Sequence, residues 1–148
     1  MIKLKLFKQS KGFCGPACLK MALSAYGENR SEKYLAKLTK ASRKKGCSEK
    51  DMVKAAEKLG FKGYVKQGSS IREVRQLVKK GIPVIVDWFS PEEAGHYSVV
   101  VGFEKDKILL ADPHFGKIMK HKIDWFEERW FDMPFKRPIL KEIIVIKK

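Results

Sequence analysis

Cys14 lies in the stretch Gln9-Ser-Lys-Gly-Phe-Cys-Gly-Pro-Ala-Cys-Leu19, with a glutamine five positions upstream and Gly15-Pro16 directly after it. Pro16 suits the first turn of a helix, where its missing N–H would have had no intrahelical partner. Leu19, Ala22, Leu23 and Tyr26 recur at i, i+3, i+4 and i+7, and Gly27 supplies a stop, so the spacing predicts a helix to about Tyr26. Cys14 is then expected where unpaired backbone N–H groups converge and the helix dipole favours an anion. That setting promotes the thiolate, the nucleophilic form of cysteine. Nearly all of Cys18 to Tyr26 is apolar or small. A helix buried on most sides is a rigid mount for a nucleophile.

A nucleophilic thiol needs a base and a group that orients the base. Of three histidines, His121 lies among lysines with no evident partner, and His114 follows Asp112-Pro113 in a turn that could border the same cleft. His96 is the strongest candidate, at the head of an apolar run with Gly95 before it. Asp112 ends the next predicted strand and could hold the imidazole in one tautomer, as the third member of a triad does. The two residues share a sheet face only if the hairpin between them has an odd-numbered loop or one bulge. Glu104-Lys-Asp106 has the length of a three-residue loop, so an odd register is expected.

Several elements must position these groups. Residues 2 to 7 alternate like a short strand. Asn29 or Ser31 caps a helix carrying Tyr34, Leu35 and Leu38. Ser48-Glu-Lys-Asp51 and Ser70-Ile-Arg-Glu73 read as capping boxes opening two more helices, which stop at Gly60 and Gly81. Phe61 to Val65 reads as a brief strand. After Gly81 the period changes: Pro83 to Phe89 is a continuous apolar run, as in a strand covered on both faces. Ser90 to Gly95 is loop, His96–Phe103 and Lys107–Asp112 form a hairpin, and Gly116 to Lys122 is a further strand. Asp124 to Trp130 is a short helix with Asp124 and Glu127 suited to its cap, and Glu142 to Ile146 closes the sheet. Helices first and antiparallel strands after make an α+β fold, expected here as one domain over residues 1–148.

The chain has 148 residues, 44% hydrophobic and 11% aromatic, a composition that excludes disorder. No apolar run approaches the roughly 20 residues that span a bilayer, and no signal peptide is visible. Three cysteines (Cys14, Cys18, Cys47) cannot all pair within one chain, so reduced thiols and a cytoplasmic setting are expected. Cys18, one turn beyond Cys14, reads as core and Cys47 as an incidental loop thiol. A zinc site built from the three thiols and a histidine would match no common spacing. The formal charge of +15 is spread over almost every segment, without aromatic interleaving for base stacking. It reads as a lysine-rich solvated surface that attracts acidic peptides or anionic surfaces, with no specific nucleic-acid partner.

Gln9, Cys14-Gly-Pro-Ala-Cys18-Leu, Gly95-His96-Tyr-Ser-Val-Val-Val and Ala-Asp112-Pro-His-Phe-Gly116, in this order, resemble the C39 peptidase family of papain-like cysteine proteases. Members trim leader peptides of bacteriocins and related peptides after a double-glycine site and are usually fused to an ABC exporter. The resemblance implies a papain-like fold, with a central helix bearing Cys14 packed with other N-terminal helices on a C-terminal antiparallel sheet. It implies Cys14 as nucleophile, His96 as general base and acid, Asp112 as orienter, and the Gln9 amide with the Cys14 N–H as oxyanion hole. Here Gln9 precedes the cysteine by five positions where family members generally show six. No cofactor and no metal is expected. The expected partners are a peptide or leader-peptide substrate and an ABC exporter acting in trans, which would bring the chain to the membrane surface. Two other readings stay open: an acyl transferase or amidase using the same triad, and a peptidase-like module that binds leader peptides without cutting them.

Overall fold

Three serines begin three of the helices. In the computed structural model, which describes residues 1–148, Ser31, Ser48 and Ser70 accept hydrogen bonds from the N–H groups of Tyr34, Asp51 and Glu73 at 3.0–3.2 Å. Each cap satisfies a donor that the first turn leaves free. They open α2 (Glu32–Leu38), α3 (Glu49–Lys58) and α4 (Ile71–Lys79). α1 (Cys14–Ser24) differs: Phe13 holds the N-cap position without a side-chain cap bond, and the helix ends two residues before Tyr26.

The strands are β1 (Lys62–Lys66), β2 (Val84–Ser90), β3 (Ala94–Glu104), β4 (Lys107–Asp112), β5 (Lys117–Lys122), β6 (Phe131–Asp132), β7 (Ile139–Leu140) and β8 (Glu142–Lys147), with α5 (Ile123–Glu128) between β5 and β6. Six of them form one antiparallel sheet in the order β1-β8-β2-β3-β4-β5, while β6 and β7 pair separately. The α+β expectation holds. β8 does not close the sheet at an edge, however. It inserts between β1 and β2, where Ile143, Ile144, Val145 and Ile146 are fully buried on alternating faces. Residues 2 to 7 do not form a ladder strand. They run extended across the sheet, tied by Ile2 N–H to Val101 O at 2.7 Å and Gln9 N–H to Pro113 O at 2.8 Å. α5 has no side-chain cap; Asp124 sits inside its first turn.

The sheet is covered on both faces, which explains the continuous apolar run of β2. On one face α1, α2 and α3 bury Leu19, Met21, Leu23, Leu35 and Met52 against Ile85, Val99 and Ile144. On the other, α4 and α5 bring Val74 and Phe126 onto Val86, Trp88, Val100 and Val145.

The hairpin that carries His96 and Asp112 reaches the expected register by a different route. Its loop has two residues, Lys105-Asp106, with Lys105 in the left-handed region at φ 54°. The odd residue comes from a bulge: Gly102 pairs with Leu109, Val101 is skipped, and Val100 pairs with Leu110. Val101 spends its free carbonyl on Ile2. The shift of one position puts His96 and Asp112 on the same face.

Candidate active site

Cys14 is the first residue of α1, and no bond from its N–H or that of Gly15 is among those of the surrounding turns. With Pro16 next in line, this helix end presents donors and the positive end of a dipole to whatever occupies the cleft. Leu19, Met21 and Leu23 are buried without exposure on the same helix, so the mount is rigid.

His96 and Asp112 are 2% and 1% exposed. Their contact, His96 Nε2 to Asp112 Oδ1, is 2.7 Å. Asp112 Oδ1 also accepts the His114 backbone N–H at 2.9 Å, which fixes the carboxylate in the turn after β4. With Nε2 occupied, Nδ1 is the free ring nitrogen; it has no hydrogen-bond partner, and Glu93 Oε1 approaches it at 3.5 Å. Cys14 Sγ, a Glu93 carboxylate oxygen and a His96 ring nitrogen lie within 4.8 Å of one another. Burial works against an imidazolium at His96, but the bond to Asp112, with Cys14 and Glu93 beside it, holds its pKa up at about 11.

Sequence reasoning missed Glu93, which it placed in a plain loop. β2 and β3 in fact pair to their tips, Ser90 with Ala94, and the tight turn between them aims Glu93 back at the imidazole. Its other oxygen meets His114 Nδ1 at 2.6 Å. The His96 ring beside it and, against burial, the hydrogen bond with His114 keep the Glu93 carboxyl down at about 2. A carboxylate two or three residues before a histidine in a Gly-containing turn is the only signal that could have found it. His114 does border the site, as expected. His121 is not a free surface group: it stacks on Trp125 with ring centroids 4.7 Å apart and lies beside Trp88.

The Gln9 side chain is not brought to Cys14 among the residues lining the cleft. Its Nε2 donates weakly to Ser10 O at 3.4 Å, and its Oε1 is buried without a partner. Cys18 is fully buried, as expected of a core thiol. Cys47 is not incidental to the site, since its sulfur packs on Gly15 and it lines the cleft with Cys14. Burial, with Cys14 nearby, pushes the Cys47 thiol up to about 12, and burial raises Cys18 as well, so both stay protonated.

The cleft has a volume of about 540 Å³. Arg43, Lys44 and Lys45 border it on a turn closed by the Ser42–Gly46 bridge, and Arg137 lines it as well. The β6–β7 hairpin adds an apolar lip, with Phe135 87% exposed at φ 53° and Met133 half exposed. Chemically the arrangement can form a thiolate–imidazolium pair at the mouth of a peptide-sized groove. The Cys14–Glu93–His96 set could also take Zn²⁺, which would block the thiol. Glu49, Asp87 and Glu142 form a second group of carboxylates, the first two lining the same cleft.

Residues 1–136 match the Peptidase_C39 like family. The lactococcin-G-processing and transport ATP-binding protein LagD of Lactococcus lactis is 32% identical over 130 residues, covering 87% of this chain but 18% of that protein. The chain thus spans under a fifth of that relative's length. Among solved structures, the peptidase domain of Streptococcus ComA superposes with a TM-score of 0.80 at 26% identity, covering 99% of this chain and 98% of that one. A double glycine motif protease from an AMS/PCAT transporter, solved with its leader peptide, gives 0.75 at 20% identity over 99% and 92% of the two chains, a likeness of fold.

Proposed function

The chain belongs to the Peptidase_C39 like family, a family of cysteine peptidases, and we propose that it cuts a peptide bond with Cys14 as nucleophile, His96 as general base and acid, and Asp112 as orienter. The observation that carries this reading is the pairing of His96 Nε2 with Asp112 at 2.7 Å, which leaves Nδ1 free while Cys14 Sγ lies within 4.8 Å of the ring. The thiolate attacks the scissile carbonyl, and the oxyanion forms against the unpaired N–H groups at the head of α1. The imidazolium gives its proton to the leaving amine as the thioester forms. Water, deprotonated by the same imidazole, then releases the acid and restores the thiol. Gln9 joins the oxyanion hole only if its amide swings toward Cys14 when substrate binds. A donor so placed contributes about 2.7–4 kcal/mol to the transition state.

For substrate we propose a leader peptide with glycines at the cleavage site. LagD is described as processing lactococcin G, and the ComA domain comes from a transporter. Supporting this, the cleft is narrow beside Gly95 and bordered by four cationic side chains and the exposed Phe135, which suit an extended peptide with acidic and apolar residues upstream of a small-residue site. An ABC exporter is the partner this substrate implies.

The test is a panel of acidic leader peptides ending in Gly-Gly, Gly-Ala or Leu-Leu, incubated without ATP and read by mass spectrometry in ¹⁸O water. One ¹⁸O in the new carboxylate after Gly-Gly, lost in Cys14→Ala, supports hydrolysis. Transfer to an added amine would make the chain an acyl transferase, and binding without cleavage would make it a recognition module.

A further inference from the structure

We propose that Glu49 and Asp87, which line the cleft, and the buried Glu142 beside them form a binding site for one hard divalent cation of the Ca²⁺ or Mg²⁺ class. The three carboxylates come from the first turn of α3, from β2 and from β8, and one oxygen of each lies within 4.8 Å of the others. Asp87 and Glu142 are directly opposite across two neighbouring strands, with Tyr97 opposite Asp87 on the third. Like charges in that position repel, and these two are each 2% exposed. Asp87 Oδ1 and Glu142 Oε1 are buried without any hydrogen-bond partner. Native structures rarely leave such atoms unpaired unless something else binds them.

The surroundings do not supply the missing charge. Tyr97 O–H donates to Glu49 Oε1 at 2.9 Å, a neutral partner for one carboxylate of the set. Asp132, from β6, adds a fourth carboxylate near Asp87. Arg43, Lys44, Lys45 and Arg137 border the same cleft, yet none forms an ion pair with these four acids. Burial, then the neighbouring carboxylates, push Asp87 up to about 10 and Glu142 up to about 8.

A proton shared between Asp87 and Asp132 would relieve one pair and leave Glu142 and Glu49 facing each other. A lysine ammonium from a peptide would bring one charge to three. A divalent ion matches better, and the all-oxygen donor set selects hard cations over Zn²⁺ or Cu²⁺. Ca²⁺–oxygen bonds of about 2.4 Å place opposite ligands nearly 5 Å apart, so donors this close can share one ion. Asp132 also packs its carboxylate on Gly95, where a Cβ would come within 2.6 Å of it. The cation would therefore brace the wall of the cleft next to His96.

The experiment uses the whole chain, stripped with EDTA and titrated with CaCl₂ or MgCl₂, following thermal unfolding and calorimetric binding. Tb³⁺ luminescence excited through Tyr97 reports occupancy independently of any peptide cleavage. The expected result is saturable one-to-one binding, a midpoint raised by several degrees by the preferred cation, and sensitised Tb³⁺ emission. Asp87→Asn and Glu142→Gln should each weaken binding roughly tenfold or more, while unfolding in EDTA at or above the wild-type temperature shows that they fold. Unfolding temperatures unchanged by millimolar Ca²⁺ and Mg²⁺, with no sensitised emission, would overturn the site and leave protons as the means of neutralising the cluster.

Discussion

Asp112→Asn keeps the size of the side chain and one acceptor oxygen but removes the charge that faces His96. That oxygen can still take the His114 N–H, so the turn after β4 should persist. What is lost is a charge-assisted bond of 2.7 Å between two groups that are almost fully buried. Such a bond contributes about 1.5–3 kcal/mol. At about 1.4 kcal/mol per pKa unit, the imidazolium should fall by about 1–2 units. The starting value is about 11, against 6.5 for a free histidine. A raised histidine contributes stability that is fully present below its unfolded value and lost as the pH rises through its folded one. The variant should therefore be less stable from acid to neutral pH, with the difference fading toward pH 11. Cleavage should drop roughly 10–100-fold from the same energy, and further if the asparagine amide donates to Nε2 and inverts the tautomer. The assay is a ¹H–¹⁵N titration of the histidine rings with His114 and His121 as internal references, run beside peptide cleavage. An unchanged His96 midpoint in the variant would refute the reasoning.

Other perturbations separate chemistry from packing. Cys14→Ala should abolish turnover with an unfolding midpoint close to wild type, whereas Cys18→Ala should lose about 1 kcal/mol of stability and keep turnover, both read by denaturant melts and cleavage. Gly95→Ala places a methyl 2.6 Å from Asp132 Oδ1 beside the catalytic strand. It should cost about 1–3 kcal/mol and lower activity, and restoring turnover in Gly95→Ala with Asp132→Ala would locate the clash. Asp87 at about 10 and Glu142 at about 8 bind protons more tightly folded than unfolded, so in EDTA stability should fall as the pH rises from about 4 toward 10. Asp87→Asn should flatten that slope in pH-dependent melts.

Much of this was legible in the chain because local rules acted alone. Serine caps at Ser48 and Ser70 and the stops at Gly60 and Gly81 depend on a few neighbouring residues, and they placed α3 and α4 within a residue or two. The nearness of His96 to Asp112 was legible from strand parity, though the odd residue lies at Val101, where Ile2 draws off a carbonyl, and not in the loop. Long-range events were not legible. Nothing near Glu142 says that β8 slots between β1 and β2, so nothing in the sequence places its carboxylate opposite Asp87. Cys47 reads as a loop thiol until the Ser42–Gly46 bridge folds that loop over Gly15. Residues 2 to 7 alternate like a strand, but β3 is already paired on both sides by β2 and β4, and the segment is tied to it only at the Val101 bulge through Ile2.

The central claim is that Cys14 and His96 act as one preassembled pair. The test is the rate at which iodoacetamide labels Cys14, followed by mass spectrometry from pH 5 to pH 9 with Cys47 and Cys18 as internal controls. Labelling of Cys14 should stay fast below neutral pH and collapse in His96→Ala, with both controls slow throughout. Labelling that rises only at alkaline pH and ignores the His96 substitution would contradict it.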